Sequence, residues 1–437
     1  MNIPNLSSGP TPKRNCSPNA ECHHHRNSLR NYGARYLELL LTRPETPERA
    51  VQELQLHLIL GPALVSAQGW AAPAVEQHYL RARALCDQLG DIPQRVPVLY
   101  GLWGFHVTRG ELRTAQALAE ECLQLAGQTH EAGLLPQAHF AVGLILLGRG
   151  ELVHARMTLE QGVAYYQPQH RARVLLSGGL SSRTGSLALT ALALSLLGYP
   201  EQARTRTYEA LHLAQELGHP YSLVQALCVA AWVDSERGDG RVAQERADAL
   251  VALCGEHGFP LYFAWGAMVR GEALIVQAQW EEGVAQIRQG LEVQTGELWR
   301  TMYLTWLAVG YRGTGRVEEG LATIAEAPRL VDKNDERIYE AELYRLKGDL
   351  TVQSSGQSLA ARVKEAEACF LKAIEIARRQ QAKLWELRAV MSFARLGQRQ
   401  GKQREAHQML AEIYSWFIEG FDTKDLQEAQ ALLQELT

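Results

Sequence analysis

Arg109-Gly110-Glu111-Leu112 returns forty residues later as Arg149-Gly150-Glu151-Leu152. Leu213 to Pro220 (LAQELGHP) returns at the same interval as Leu253 to Pro260 (LCGEHGFP), and Glu281-Glu282-Gly283 returns after 37 residues as Glu318-Glu319-Gly320. A period of this length is read before any single residue, because each unit is one supersecondary element that stacks on the next. A second signal keeps the same register. Turn residues at Gly110, Gly150, Gly198, Gly238, Ala278, Gly315 and Gly401 are each followed five positions on by a small residue: Ala115, Ala155, Ala203, Ala243, Gly283, Gly320 and Ala406. Ala366 fills the same slot after a longer loop.

Two helices packed closely explain this spacing. A side chain larger than Ala at their crossing would push the axes apart. The partner slot, twelve positions earlier, is also often small: Gly143, Ala191, Ala231, Gly271, Ala308 and Ala394. The turn residue supplies the backbone geometry that ends the first helix. Between these marks the period is helical, as in Ala366 to Ala377, where Ala366, Phe370, Ala373 and Ile374 share one stripe. No segment alternates apolar and polar residues long enough to read as a strand. The fold predicted for 46–437 is an all-α solenoid of about nine helical hairpins. Residues 1–45, with six of the sixteen prolines before residue 48, read as a flexible Pro/Asn/Ser-rich tail. The last helix, from about Thr423 to Leu436, is expected to close the stack, with Asp422 or Thr423 capping its start.

Composition narrows the function. Lys plus Arg total 44 against 48 Asp plus Glu, a net charge of −4, which argues against an electrostatic nucleic-acid binder. The longest apolar run, Leu187 to Leu197, is too short to span a bilayer. Seven scattered cysteines fit a cytoplasmic protein with free thiols. Cys122, Cys228 and Cys369 occupy helical slots of small apolar residues.

The pattern small residue, three residues, aromatic or Leu, two residues, Ala resembles the tetratricopeptide repeat, as in Ala366, Phe370 and Ala373. Longer stretches narrow the likeness: Pro44 to Ala50 (PETPERA), Gly101 to Gly104 (GLWG), Glu282 to Leu291 (EGVAQIRQGL), Tyr339 to Gly348 (YEAELYRLKG) and Trp416 to Thr423 (WFIEGFDT). Together they resemble the tetratricopeptide-repeat C-terminal region of bacterial adenylate/guanylate cyclase–ATPase multidomain signalling proteins. That resemblance covers roughly residues 32–437. It implies a right-handed superhelix with a concave binding face and a sensing or regulatory role. The family's catalytic parts lie outside the repeats, so no catalytic residue carries over. Ser181 to Gly185 (SSRTG) departs from the pattern, because a more apolar entry to a helix is expected there.

No catalytic or cofactor motif stands out. Gly397 to Gln403 (GQRQGKQ) is one residue short of a phosphate loop, lacks a Ser or Thr after Lys402, and follows no strand. Cys16, Cys22 and His23 to His25 are the densest set of soft-metal ligands, but three consecutive histidines do not converge on one ion. No cofactor and no metal are expected. The resemblance to tetratricopeptide units instead implies that Tyr100, Phe140, Leu192, Trp232 and Trp265 line the inner groove, followed by the charged series Arg312, Arg345, Asp349, Arg388 and Arg395. An apolar half followed by a mostly cationic half suits a peptide with an apolar end and an acidic end. The alternative is that these residues meet neighbouring repeats or water.

The function this implies is a non-enzymatic scaffold for bacterial signal transduction. It binds a protein or peptide segment, with a cyclase or ATPase domain among the candidates, and neither nucleic acid nor membrane. The alternative is a detached C-terminal sensor part of a cyclase–ATPase signalling enzyme. A catalytic or DNA-binding role finds no supporting residues.

Overall fold

The computed structural model describes residues 32–437 apart from 34, 91, 130–131, 168–180 and 357. Among these residues every regular element is helical and there is no strand. The first six hairpins are α1 (Pro47–Gln68) with α2 (Pro73–Leu89), α3 (Ile92–Thr108) with α4 (Leu112–Gln128), α5 (Leu135–Gly148) with α6 (Leu152–Tyr165), α7 (Ser182–Leu196) with α8 (Pro200–Leu217), α9 (Pro220–Arg237) with α10 (Gly240–His257), and α11 (Pro260–Val276) with α12 (Trp280–Val293). The seventh joins α13 (Arg300–Gly313) to α14 (Val317–Ala325) and is followed by a short extra helix, α15 (Ala327–Asn334). The last two are α16 (Glu340–Gln353) with α17 (Leu359–Gln380) and α18 (Lys383–Arg399) with α19 (Gln403–Tyr414), and α20 (Lys424–Glu435) ends the array. This is a tetratricopeptide-like helical-hairpin solenoid. Helical backbone also lies N-terminal of the expected boundary: residues 35–41 are helical, and Leu40 is buried. The Cys16, Cys22 and His23 to His25 cluster lies outside the described residues.

Local sequence fixes where helices start. Pro47, Pro73, Pro200, Pro220 and Pro260 each occupy the first helical position, where a missing N–H costs nothing. Thr46, Ser181 and Ser358 accept backbone N–H groups from Arg49, Thr184 and Ala361. The polar stretch at Ser181 is thus a helix cap, and α7 packs normally against α8. The seven turn residues end their helices alike. At Gly110 its own N–H reaches Val107 O while the Glu111 N–H reaches back to His106 O, and the same pair of bonds closes α5 at Gly150. This Schellman closure needs a left-handed residue, and all seven have positive φ, from 60° at Ala278 to 90° at Gly198. Gly401 is one of them, with φ 77°, so the loop after Gly397 is a helix terminus.

The small-residue slots lie at the helix crossings. Ala115, Ala155, Ala203 and Ala243 are completely buried. At the sixth hairpin two glycines oppose each other. A Cβ on Gly271 would come within 2.8 Å of the Gly283 carbonyl, and one on Gly283 within 2.7 Å of the Gly271 carbonyl. In an uncrowded helix Gly→Ala stabilises by up to about 1 kcal/mol. Here Gly271→Ala is expected to destabilise by about 1–3 kcal/mol, because backbone must move to admit the methyl group. Urea unfolding of the variant reads the sign directly, and a gain in stability would mean the two helices are not held at backbone contact.

The solenoid closes on itself. Thr108 O, at the end of α3, accepts the N–H groups of Glu297 and Leu298 just before α13. Gly148 O, at the end of α5, accepts those of Arg337 and Ile338 just before α16. From 108 to 298 and from 148 to 338 the interval is the same 190 residues, or five hairpins. The ends of α7 and α9 repeat the arrangement, with Gly198 against Lys383 and Gly238 against Lys424. One turn of the superhelix therefore seats on the previous one. This contact between turns narrows the concave side.

Candidate functional site

The contact between turns brings the first helices of distant hairpins face to face, and their inward side chains leave two spaces. The first is walled by aromatic and aliphatic groups, among them Trp70, Trp103, Phe140, Trp232, Trp265 and Trp299. Cys228, Val229, Leu261 and Met302 complete much of its apolar surface. Three polar atoms in this wall have no hydrogen-bond partner among the described residues: the indole N–H groups of Trp103 and Trp265 and Oε1 of Gln225. All three residues are more than nine-tenths buried. Tyr100 stands behind the wall, stacked on Trp103 at 5.0 Å, and its buried hydroxyl is likewise unpartnered. Burial raises the Tyr100 hydroxyl and the Cys228 thiol well above their ordinary pKa values. The thiol is therefore protonated at neutral pH and acts as a small apolar group.

A partition of Trp232, Trp306 and Tyr339 separates this space from the second. Trp232 Nε1 donates to the Tyr339 hydroxyl at 2.9 Å, and that hydroxyl donates to Glu236. The Trp232 and Trp306 rings meet edge-on at 6.1 Å. Beyond the partition lies a chamber lined by charge. Arg345 forks onto Glu342, with Nε to Oε2 at 2.7 Å, and reaches Asp349 and Ser392. Arg312 shares Asp349. Arg388 bridges turns of the superhelix, bonding Glu236 of α9 through both its side chain and its carbonyl, and Asp425 of α20. Arg395 pairs with Glu428 at 3.0 Å.

The sequence-derived residues thus fall into two groups. Phe140, Trp232 and Trp265 line the aromatic cavity, Tyr100 backs it, and Arg312, Arg345, Arg388 and Arg395 line the chamber. The charge expected of the second group is corrected. Six carboxylates surround the four arginines, so the chamber is not cationic. Glu236, Glu272, Glu342, Asp349, Asp425 and Glu428 come from α9, α11, α16 and α20. Asp349 was read from the sequence as one member of a mostly cationic series, and the other five were not singled out. The cap of the last helix is corrected too. Asp422 bonds Arg237, and the Thr423 hydroxyl donates to Gly420 O, so neither side chain caps α20.

Among the described residues no helix is long and apolar enough to cross a membrane. No protein-family model matches the chain, and no curated protein matches it. Solved structures do. The chain is similar to a Rap protein complexed with Competence and Sporulation Factor, at 10% identity over 88% of this chain and 100% of that one, with a TM-score of 0.58. It is also similar to the apo form of the quorum sensor NprR from B. thuringiensis (13% identity, 85% and 99% covered, TM-score 0.49). A third is a Signal Transduction ATPase with Numerous Domains from Pyrococcus horikoshii that carries a tetratricopeptide repeat sensor (13% identity, 88% and 55% covered, TM-score 0.45). The chain spans about half the length of that ATPase. At such identities the likeness is one of fold.

Proposed function

We propose that the chain is a non-enzymatic binding module that holds a short peptide segment inside its superhelix, with an aromatic or aliphatic side chain of that segment in the aromatic cavity. The supporting observation is the set of unpartnered atoms in the apolar wall: two indole donors at Trp103 and Trp265 and one acceptor at Gln225. A buried polar group left unpaired costs about 1–3 kcal/mol. A peptide backbone carries both acceptors and donors and would pair these groups while its side chain fills the apolar space. A hydrocarbon ligand would leave them unpaired. The Rap structure of similar fold is a complex with the Competence and Sporulation Factor, which is consistent with a ligand held by such a solenoid. The context of bacterial signal transduction, with a cyclase or ATPase domain as the element regulated, rests on the sequence resemblance of the repeats. The same resemblance favours a second context, in which the solenoid is the sensor part of a cyclase–ATPase signalling enzyme.

Tryptophans in the cavity wall report on occupancy. Pooled hexapeptides, each carrying one Phe, are expected to change the intrinsic fluorescence of the wild-type protein saturably. Cys228→Phe, which places a ring in the cavity, is expected to weaken that response at least about tenfold, or about 1.4 kcal/mol. A wild-type spectrum indifferent to every pool, or a filled variant that binds as well as wild type, would end the proposal.

A further inference from the structure

The charged chamber holds one carboxylate more than its arginines engage. Glu342 and Asp349 belong to Arg345 and Arg312, Glu236 and Asp425 to Arg388, and Glu428 to Arg395. Glu272, on α11, makes no hydrogen bond or ion pair among the described residues, and its Oε2 is buried without a partner. Across from it on α9, the Ser235 hydroxyl also lines the chamber unpartnered, on a residue only 5% exposed.

We propose that this chamber receives a positively charged group carried by the bound peptide, a guanidinium or an ammonium, with Glu272 as its counter-ion and Ser235 Oγ accepting one of its N–H bonds. The proposal rests on the peptide-binding reading of the interior and names the chemistry of the ligand's second contact. It reverses the acidic end that the arginine series implied. An entering anion would need free donors; the guanidinium groups here already donate to carboxylates, and the one lysine of the lining, Lys424, is exposed to solvent. Arg388 makes contacts to Asp425 and to both the side chain and carbonyl of Glu236, and Arg345 adds Ser392 to its two carboxylates. An entering cation needs an acceptor that no arginine engages, and Glu272 is that acceptor. Burial, reinforced by the neighbouring Glu236, holds its carboxyl well above the usual carboxylate range. A cation brought beside it restores the favourable ionised pair.

The test uses four hexapeptide pools, each member carrying one Phe and, at a varied position, one Arg, one Lys, one citrulline or one Glu. Citrulline keeps the shape of Arg without its charge. Retention of each pool on immobilised full-length protein is read by mass spectrometry. The expected result is retention of the Arg or Lys pool at least tenfold above the citrulline and Glu pools, with the gap closing in Glu272→Gln. Arg against Lys separates guanidinium from ammonium. Equal retention of the charged and citrulline pools by the wild type, preference for the Glu pool, or a gap that survives in Glu272→Gln overturns the proposal. If Glu272→Gln does not fold, the wild-type comparison of Arg, Lys and citrulline decides alone. Equal retention that Cys228→Phe abolishes removes the cation and leaves the peptide site standing, whereas no retention of any pool removes both.

Discussion

Arg388→Ala is expected to cost about 3–5 kcal/mol of stability, because breaking a buried ion pair by removing one partner leaves an uncompensated charge inside. Arg388 bonds Glu236 of the fifth hairpin, 152 residues away, and Asp425 of the last helix. Burial works against its charge, but Asp425 and Glu236 more than offset that, and its pKa rises well above the ordinary guanidinium value. Glu236 is only 5% exposed and has no solvent to turn to. The Arg388 side chain remains 19% exposed, which points to the lower end of the range. Chemical denaturation gives the total, and hydrogen exchange gives its location. Amides of α20 and of the C-terminal turn of α9 should lose protection first, since Arg388 of α18 bonds both. The double variant Arg388→Met, Glu236→Gln should recover part of the loss, because it removes both charges rather than one. If Arg388→Ala falls within about 1 kcal/mol of wild type, the contact between superhelical turns is not held by this charge.

The same arginine shows how far the sequence could be read. Everything that depends on the forty-residue period was legible, because close packing within a hairpin leaves a local trace. The positive φ at Gly110, Gly150 and Ala278 and the burial of Ala115 and Ala155 follow from spacing alone. The inward face of Phe140, Trp232 and Trp265 was legible from helical spacing, since they lie ten, six and thirteen positions before their turn residues. Their convergence was not. It depends on contacts five hairpins apart, such as Gly148 O with Ile338 N, and no local pattern encodes the pitch of the superhelix. The misreading of the chamber charge has the same origin, with one exception. Glu342, Arg345 and Asp349 follow at intervals of three and four on one helix and could have been recognised as an internal ion-pair series. Glu236 and Glu272 could not, since each belongs to a different hairpin from the arginines it faces. The electrostatic character of a solenoid interior is a property of its curvature before it is a property of any one repeat.

Trp232→Ala should be the second large effect, and its consequence reaches both spaces. The indole is 3% exposed, touches Trp299 and Trp306 edge-on at 5.6 and 6.1 Å, and donates to Tyr339. Truncating a buried aromatic to Ala costs about 3–5 kcal/mol through lost burial and the cavity left behind. Here the cavity would not stand alone. Trp232 is part of the partition, so its loss joins the aromatic space to the charged chamber and opens apolar walls to water. Apolar side-chain binding, read by fluorescence from the remaining tryptophans, should fall even at temperatures where the variant is still folded. Trp232→Phe separates the two causes. It keeps most of the packing and removes only the donor to Tyr339, so its stability cost should be about 1 kcal/mol. The Tyr339 hydroxyl would then still donate to Glu236, and the chamber should keep its geometry. Near-wild-type stability for Trp232→Ala would mean that the residue does not divide the interior. A loss in Trp232→Phe as large as in Trp232→Ala would place the effect in the hydrogen-bonded link to Glu236 rather than in the wall itself.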